Sequence, residues 1–282
     1  MLSMGVTEAR MEAFICTACG TQYAPSERAP AQCTICEEER QYVPPAGQSW
    51  TTLKSLAARS FNSFRQHEPG LIGIGTQPHF AIGQRALLVC TPHGNVLWDC
   101  ISLIDDATVT LIKGLGGLTA IGISHPHFYT TMVEWSRAFG DVPIHLHAAD
   151  REWIMRPDSA IKSWQGDTLE LLPDVTLIRG GGHFPGGAML HWSKGAGGRG
   201  ALLSSDIATV ATSRRLLTFM WSYPNFIPLS AREVEGIAAA LAPFRFDAIY
   251  GHYFDRVIAT GAKDVLRKSV ERYLAAIAGT QR

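Results

Sequence analysis

Two histidines, His125 and His127, flank a proline directly after the strand-like run Ile-Gly-Ile-Ser at residues 121–124. In an extended backbone, residues two apart point to the same side, and the proline disfavours a helical conformation at His125. We therefore expect both imidazoles to leave the end of a strand together. Neutral imidazole is the commonest metal ligand in proteins, so the pattern indicates a metal pair. Two packed loop histidines are the alternative, and ligand candidates at other strand ends weigh against it.

Four of the six cysteines form two Cys-x-x-Cys knuckles, namely Cys16, Cys19, Cys33 and Cys36. Paired knuckles in a short, turn-rich segment are typical of a tetrahedral zinc with four thiolate ligands. Disulfides and free thiols are alternatives that a reducing compartment disfavours. Iron, as in a rubredoxin-like knuckle, is the alternative metal.

The chain divides by composition into a small module over residues 1–46 and a large domain over residues 47–282. A Pro-Pro-Ala-Gly sequence closes the module and has the character of a linker. A segment this short does not build a core of its own, so a metal would stabilise it.

The large domain alternates strand and helix patterns and is therefore α/β in class. A helix is predicted over residues 50–64, and a strand over residues 71–76. Short strands dominate from residue 169 to 204, and helices return over residues 230–241 and 262–278. Sheets covered by helices fit this order.

The charge balance limits the partners of the chain. A formal net charge of +0 with a pI near 7.1 disfavours nucleic acid as a partner, and a small-molecule substrate is expected instead. No apolar run is long enough to cross a bilayer, so no membrane partner is expected. The first residues lack the features of a signal peptide, and we expect a cytoplasmic location.

Three further strand ends carry residues that bind metals. His183 lies between glycines after a strand, and Asp206 and His252 each follow an apolar strand. A plain glycine-rich turn is the alternative for His183, and a helix N-cap is the alternative for Asp206. Ligand crevices form outside strand ends in α/β sheets. The histidine pair and these three strand ends therefore support a common site more strongly together than each does alone.

With these residues in order, the chain resembles the metallo-β-lactamase superfamily over roughly residues 65–260. The most specific match is the sequence Gly-His-Phe-Pro-Gly around His183. The resemblance implies a four-layer αββα sandwich with the metal site at one edge of the paired sheets. It also implies that His125, His127, His183, Asp206 and His252 are the ligand series.

The chain departs from the family pattern at Tyr129 and Thr130, which replace the aspartate and the last histidine of the first motif. Those two residues hold the second metal in the family. We therefore expect one catalytic metal, held by His125, His127 and His183 with Asp206 as a possible fourth ligand. Asp206, Tyr129 and His252 are the candidate catalytic residues, and His79 is a candidate substrate contact at the rim.

Three functions fit this site. The first is a zinc hydrolase in which a metal-bound hydroxide attacks an ester, lactone, thioester or phosphoester. The second is a non-haem iron oxidoreductase or dioxygenase on the same fold, using His125, His183 and Asp206. The third is a metal-binding or interaction module without catalysis. The first implies two zinc ions, one catalytic and one structural, and the second allows iron at either site.

Overall fold

A computed structural model describes residues 11–280 of the chain. Strands β1–β19 span, in chain order, Ile15–Cys16, Trp50–Thr51, Phe61–Glu68, Leu71–Gln77, Ala86–Thr91, Gly94–Trp98, Ala120–Gly122, Ile144–His147, Ile161–Trp164, Thr168–Leu172, Val175–Arg179, Ala188–Trp192, Ala201–Leu203, Thr209–Val210, Leu217–Thr218, Met220–Ser222, Ile227–Pro228, Ala248–Tyr250 and Val257–Ile258. Helices α1–α7 span Thr34–Glu37, Leu53–Ala57, Asp106–Gly114, Met132–Ala138, Gly195–Gly198, Ala231–Leu241 and Ala262–Ile277.

Two sheets form the centre of the large domain. The first contains β3–β9 in chain order, antiparallel from β3 to β6 and parallel from β6 to β9. The second has the order β10-β11-β12-β13-β18-β19, and β13 and β18 are its parallel pair. Crevices form where parallel strands end, so this topology offers a site at the carboxyl ends of β7, β13 and β18.

Alternation along the strands divides the apolar side chains among three cores. On β5, Leu87 and Val89 pack between the two sheets, whereas Leu88 packs on the outer face with α3 and α4. On β11, Leu177 belongs to the core between the sheets, and Ile178 packs outward with α6 and α7. Successive residues of a strand point to opposite faces, so both sheets are buried on both sides. The predicted four-layer αββα sandwich is confirmed.

Local signals set the ends of the helices that cover the sheets. Ser230 caps α6 in a capping box with Glu233, and Asp105 caps α3 by accepting a hydrogen bond from the Thr108 amide. Within residues 11–280, no helix is long and apolar enough to cross a bilayer.

The cysteine module packs against the large domain. Its strand β1 pairs with β2, which follows the predicted linker, and its core contacts Ile82 and Trp153. The boundary between residues 46 and 47 stays a prediction. Residues 1–10 of the predicted module lie outside the described range.

The predicted helix over residues 50–64 is wrong in its second half. Helix α2 ends at Ala57, and β3 begins at Phe61 and pairs with β4 along its whole length. Apolar residues at helical spacing stop at residue 57, and the pairing with the buried strand β4 determines the conformation beyond it.

Candidate metal centre

His125 and His127 lie just after β7, the strand between β6 and β8. The backbone of His125 is extended, with φ −168° and ψ 173°, and Pro126 begins a short 3₁₀ helix that contains His127. Both side chains are buried, and their ring centroids are 5.1 Å apart. The proline thus ends the extended segment and brings the two imidazoles together.

His183 enters the same site from the glycine-rich turn after β11. Gly181 and Gly182 have φ values of +66° and +76°, and a Cβ on Gly182 would lie 2.7 Å from Leu229. His183 is fully buried, and its Nδ1 lies 2.8 Å from the carbonyl oxygen of Trp221. A carbonyl accepts only, so Nδ1 carries the proton and the lone pair of Nε2 is free. This Nε2 lies 3.3 Å from Nδ1 of His127.

Asp206 follows β13 and brings a carboxylate to the histidines. Its Oδ2 lies 3.8 Å from Nε2 of His125, and its Oδ1 lies 2.8 Å from Nδ1 of His252. Ligand atoms of His125, His127, His183 and Asp206 all lie within 4.8 Å of one another. His252 follows the parallel neighbour strand β18, so the topology brings it to the same edge.

Burial sets the charge of these groups. It lowers the pKa of His127 to about 3 and lowers the pKa values of His125 and His183 below the usual range of histidine. Burial alone would raise the pKa of Asp206, but the neighbouring His252, which also donates a hydrogen bond to it, lowers that pKa below its ordinary value. Three neutral imidazoles and an ionised carboxylate are the protonation states that metal binding requires.

A metal ion fits this set of donors. The Nε2 atom of His125 is shut off from water and has no hydrogen-bond partner, which is costly for a buried polar atom. Two ligands of a tetrahedral zinc, each about 2.0–2.1 Å from it, are about 3.3 Å apart. That is the distance between His183 Nε2 and His127 Nδ1. Imidazole and carboxylate together suit zinc and non-haem iron.

A serine and an aspartate that the sequence reasoning missed support His125. The hydroxyl of Ser124 lies 2.9 Å from Nδ1 of His125 and donates to Ser205, and the Ser124 amide donates to Asp99. Burial raises the pKa of Asp99 to about 7, against the hydrogen bonds from Ser124. The sequence offered one signal for Asp99, because an acidic residue between Trp98 and Cys100 in an apolar run indicates a buried polar partner.

Arg85 supports the backbone around His252. Arg85 is almost fully buried, and its Nε and Nη2 donate to the carbonyl of Gly251 at 3.0 and 2.7 Å. Its own amide donates to the carbonyl of His252 at 2.9 Å. Burial lowers the pKa of this guanidinium to about 9. The sequence pattern predicts only that a strand starts at residue 85. The charged residue at that position was the one sign of a buried partner.

A cavity of about 630 Å³ opens beside the metal centre. Its size suits a small molecule. It is lined by backbone and side chains of Ala18, Arg40, Gln41, Tyr42, Ala81, Ile82, His127, Asp206, Thr209, Val210, Ala211, Thr212, Thr218, Tyr223, Pro224, His252, Tyr253 and Arg256. Residues 40–42 belong to the cysteine module, so that module forms part of the cavity wall.

The four cysteines form the second cluster of metal-binding residues in the described chain. Cys16 Sγ lies 3.6 Å from Cys36 Sγ, and Cys19 Sγ lies 3.6 Å from Cys33 Sγ. A disulfide would need about 2.05 Å, whereas thiolates on a tetrahedral zinc are about 3.8 Å apart. The cluster therefore has the spacing of a four-thiolate metal site. Of the two remaining cysteines, Cys100 is buried and Cys90 only half-buried.

Two predicted site residues have other surroundings. Tyr129 is buried, its hydroxyl donates to the carbonyl of Asp150 at 3.4 Å, and it does not line the cavity. His79 is exposed and lies beside Gly83, whereas its neighbours Ala81 and Ile82 line the cavity. The roles proposed for Tyr129 and His79 stay predictions, and no contact here supports them.

Comparisons with known proteins agree with this architecture. The chain is 46% identical over 269 residues to the uncharacterized protein YmaE of Bacillus subtilis (strain 168), covering 95% of this chain and 97% of YmaE. No family model matches the chain.

Solved structures identify the fold. The DIM-1 metallo-β-lactamase superposes with a TM-score of 0.56 at 12% identity, over 77% of this chain and 98% of DIM-1. VMB-1 at pH 5.5 superposes with a TM-score of 0.57 at 10% identity, over 77% of this chain and 98% of VMB-1. The resemblance seen in the sequence is confirmed: the chain belongs to the family of YmaE and has the metallo-β-lactamase fold.

Proposed function

We propose that the protein is a metal-dependent hydrolase with one active-site metal, held by His125, His127, His183 and Asp206. The observation that carries the proposal is the convergence of their ligand atoms within 4.8 Å beside an open cavity. Catalytic zinc sites keep a coordination position for water or substrate beside three protein ligands, and their coordination can expand to five. A zinc held by these four residues would therefore still have a position for water or substrate.

A bound metal supplies Lewis acidity and brings the pKa of its water down to about 7. The residues around it provide what the metal does not. Asp206 holds a negative charge in a buried position, where it orients His252 through the Nδ1 that faces it. His252 lines the cavity with Nδ1 2.8 Å from Asp206, so it is placed to carry a proton to or from a reacting group.

The walls of the cavity favour an anionic substrate. Arg40 and Arg256 line it, and the single acid among its lining residues is the proposed ligand Asp206. The side chain of Arg256 is 21% exposed, and its ionic neighbour Asp255 lies 3.7 Å away. We propose an ester, lactone, thioester or phosphoester that carries a carboxylate or phosphate, which a guanidinium recognises well.

Hydrolysis of a panel of such compounds by the zinc-loaded protein tests the proposal. We expect wild-type protein to hydrolyse at least one class, and His127→Ala to lose both the metal and the activity. His93→Ala is the matched control, because His93 is exposed in the turn between β5 and β6. Equal rates for the wild type and His127→Ala would contradict the metal-dependent mechanism.

Metal identity separates this proposal from its alternatives, since the donor set suits iron as well as zinc. Iron retained after aerobic purification, with oxidation of a substrate, would favour the oxidoreductase. Full zinc occupancy without turnover of any compound would favour a binding module.

A further inference from the structure

We propose that the cysteine module positions the active-site histidines, and that Arg40 is its positioning residue for His183. This inference rests on the metal centre of the proposed function. It extends that proposal by making metal binding at the histidines depend on metal binding at the cysteines. Three sets of contacts carry it, each between the module and a segment that holds or orients a histidine ligand.

The first contact is made by Arg40, four residues after Cys36. Its Nη1 donates to the carbonyl of His183 at 3.1 Å, and its guanidinium carbon lies 3.8 Å from the centre of the Phe184 ring. Glu38 fixes the guanidinium through a 2.8 Å ion pair, and the side chain of Arg40 is only 10% exposed. A planar guanidinium can stack and donate at the same time, which an ammonium cannot.

Phe184 extends this contact to the other ligands. Its ring stacks on His125, with centroids 5.4 Å apart, and meets the ring of His127 edge-on at 5.1 Å. Arg40 therefore packs on an aromatic ring that also packs against the two histidines of the first motif.

The second contact is made by the backbone of Glu39. Its carbonyl accepts hydrogen bonds from the hydroxyl of Ser222 at 2.7 Å and from the side-chain Nδ2 of Asn225 at 2.8 Å. Ser222 directly follows Trp221, whose carbonyl accepts the proton of His183 Nδ1. The module thus holds both the backbone of His183 and the segment that orients its ring.

The third contact reaches the first histidine motif. The amide of Gln22, three residues after Cys19, donates to the carbonyl of Thr130 at 3.0 Å. The side-chain oxygen of Gln22 accepts from Arg156, which also pairs with Glu134 at 2.6 Å. Both segments that carry the proposed histidine ligands are therefore tied to residues that follow a cysteine knuckle closely.

The cysteine cluster determines where these residues lie. Residues 38–42 follow the four-residue helix α1, whose amides at Cys36 and Glu37 bond back to the carbonyl of Cys33. A segment this short has little core of its own, and its folding free energy comes from its metal. Loss of that metal frees Arg40, Glu39 and Gln22, and the histidine site loses its pre-organisation.

Zinc binding by full-length variants tests the inference, with no substrate required. We expect Arg40→Ala to raise the zinc dissociation constant of the histidine site about tenfold, in the range found for residues that support metal ligands. Arg40→Lys should restore part of the affinity, because it keeps the charge but not the stacked fork. Arg28→Ala is the matched control, since Arg28 is an exposed arginine of the same module.

Cys33→Ser tests the dependence on the cysteine cluster. We expect it to weaken zinc binding at the histidines at least as much as Arg40→Ala, and the double variant to show no loss beyond that of Cys33→Ser, because loss of the cysteine metal already frees Arg40. Wild-type affinity in Arg40→Ala, or in Cys33→Ser after its cysteine zinc is gone, would overturn the inference. Circular dichroism confirms that each variant is folded, and Arg40→Lys is the mildest of them.

The outcome is distinct from that of the proposed function. A chain that shows these affinity changes but hydrolyses nothing contradicts the hydrolase and leaves the positioning role standing. A hydrolase whose histidine zinc is indifferent to Arg40 and Cys33 contradicts the positioning role alone. A wild-type chain that binds no metal at its histidines contradicts both.

Discussion

At the scale of single residues, burial prepares the histidines for a metal. His125, His127 and His183 lie away from water, so their neutral forms are favoured near neutral pH. The hydrogen bond from His183 to Trp221 fixes its tautomer and aims its lone pair at His127. Partners of this kind orient metal ligands and raise their basicity.

Asp99 gives a prediction about pH. Its pKa is raised to about 7 in the folded chain, so the folded state binds more protons than the unfolded state from about pH 4 to about pH 7. Its contribution to stability therefore falls as pH rises through that window. Asp99→Asn should remove this slope, gaining on the wild type by at most about 4 kcal/mol between pH 4 and pH 8.

Chemical denaturation of both proteins at pH 4, 6 and 8, prepared in the same metal state, measures this difference. The comparison cancels the opposite slope that the buried histidines add to both proteins. A constant difference between the two proteins at all three pH values would show that Asp99 is not a buried titrating group.

Arg256 gives a prediction about substrate charge. Because Arg256 lines the cavity and its ionic contact with Asp255 is long, at 3.7 Å, an anionic group of the substrate would pair with its guanidinium. Arg256→Gln should raise KM about tenfold for an anionic substrate, the value of one charge-assisted hydrogen bond. Steady-state kinetics on a matched pair of esters, one with a carboxylate and one without, measures the effect. A similar rise for the neutral ester would contradict charge recognition.

At the scale of elements, glycines constrain the turn after β11 that carries His183. Gly182 has positive φ and also lacks space for a Cβ beside Leu229, whereas Gly181 has positive φ with its nearest neighbour at 3.8 Å. Gly181→Ala should therefore cost about 1–2 kcal/mol of stability from backbone strain alone. Gly182→Ala should cost about 1–3 kcal/mol more and displace His183.

Thermal unfolding and zinc content of the two variants measure these costs. The structural account requires Gly182→Ala to lose zinc from the histidine site while Gly181→Ala retains most of it. Equal stability and equal zinc content in the two variants would show that the space beside Leu229 is unimportant.

Elements whose pattern is local were predictable from the sequence. The apolar runs that end at His125, Asp206 and His252 became strands that end at one edge, because period-two burial and chain connectivity specify them. The helix expected through residue 64 was wrong because β3 depends on its pairing with β4, which is not a local property.

At the scale of the whole molecule, two sheets and an added module build one site. Its proposed ligands come from the ends of β7, β11 and β13, which no single element could provide. The clustering of these four residues could be predicted because their types and positions are unusual. The contact between Arg40 and His183 joins residues 143 apart in sequence, and no local pattern indicates it.

The same limit applies to the residues that support the site. Asp99 and Arg85 lie in apolar strand patterns, where a charged residue signals a buried partner but does not identify it. Their partners, Ser124 and Gly251, become visible only when the sheets are assembled. The residue types of the site were therefore predictable from the sequence, whereas the partners that surround them depend on how the sheets pack.

Metal content per chain, measured by mass spectrometry on wild-type protein and on His127→Ala, tests the central claim most directly. The account predicts about two metal ions in the wild type, one on the cysteines and one on the histidines, and about one in the variant. One metal ion in both proteins, removed in both by Cys33→Ser, would contradict it, because the histidines would then hold none.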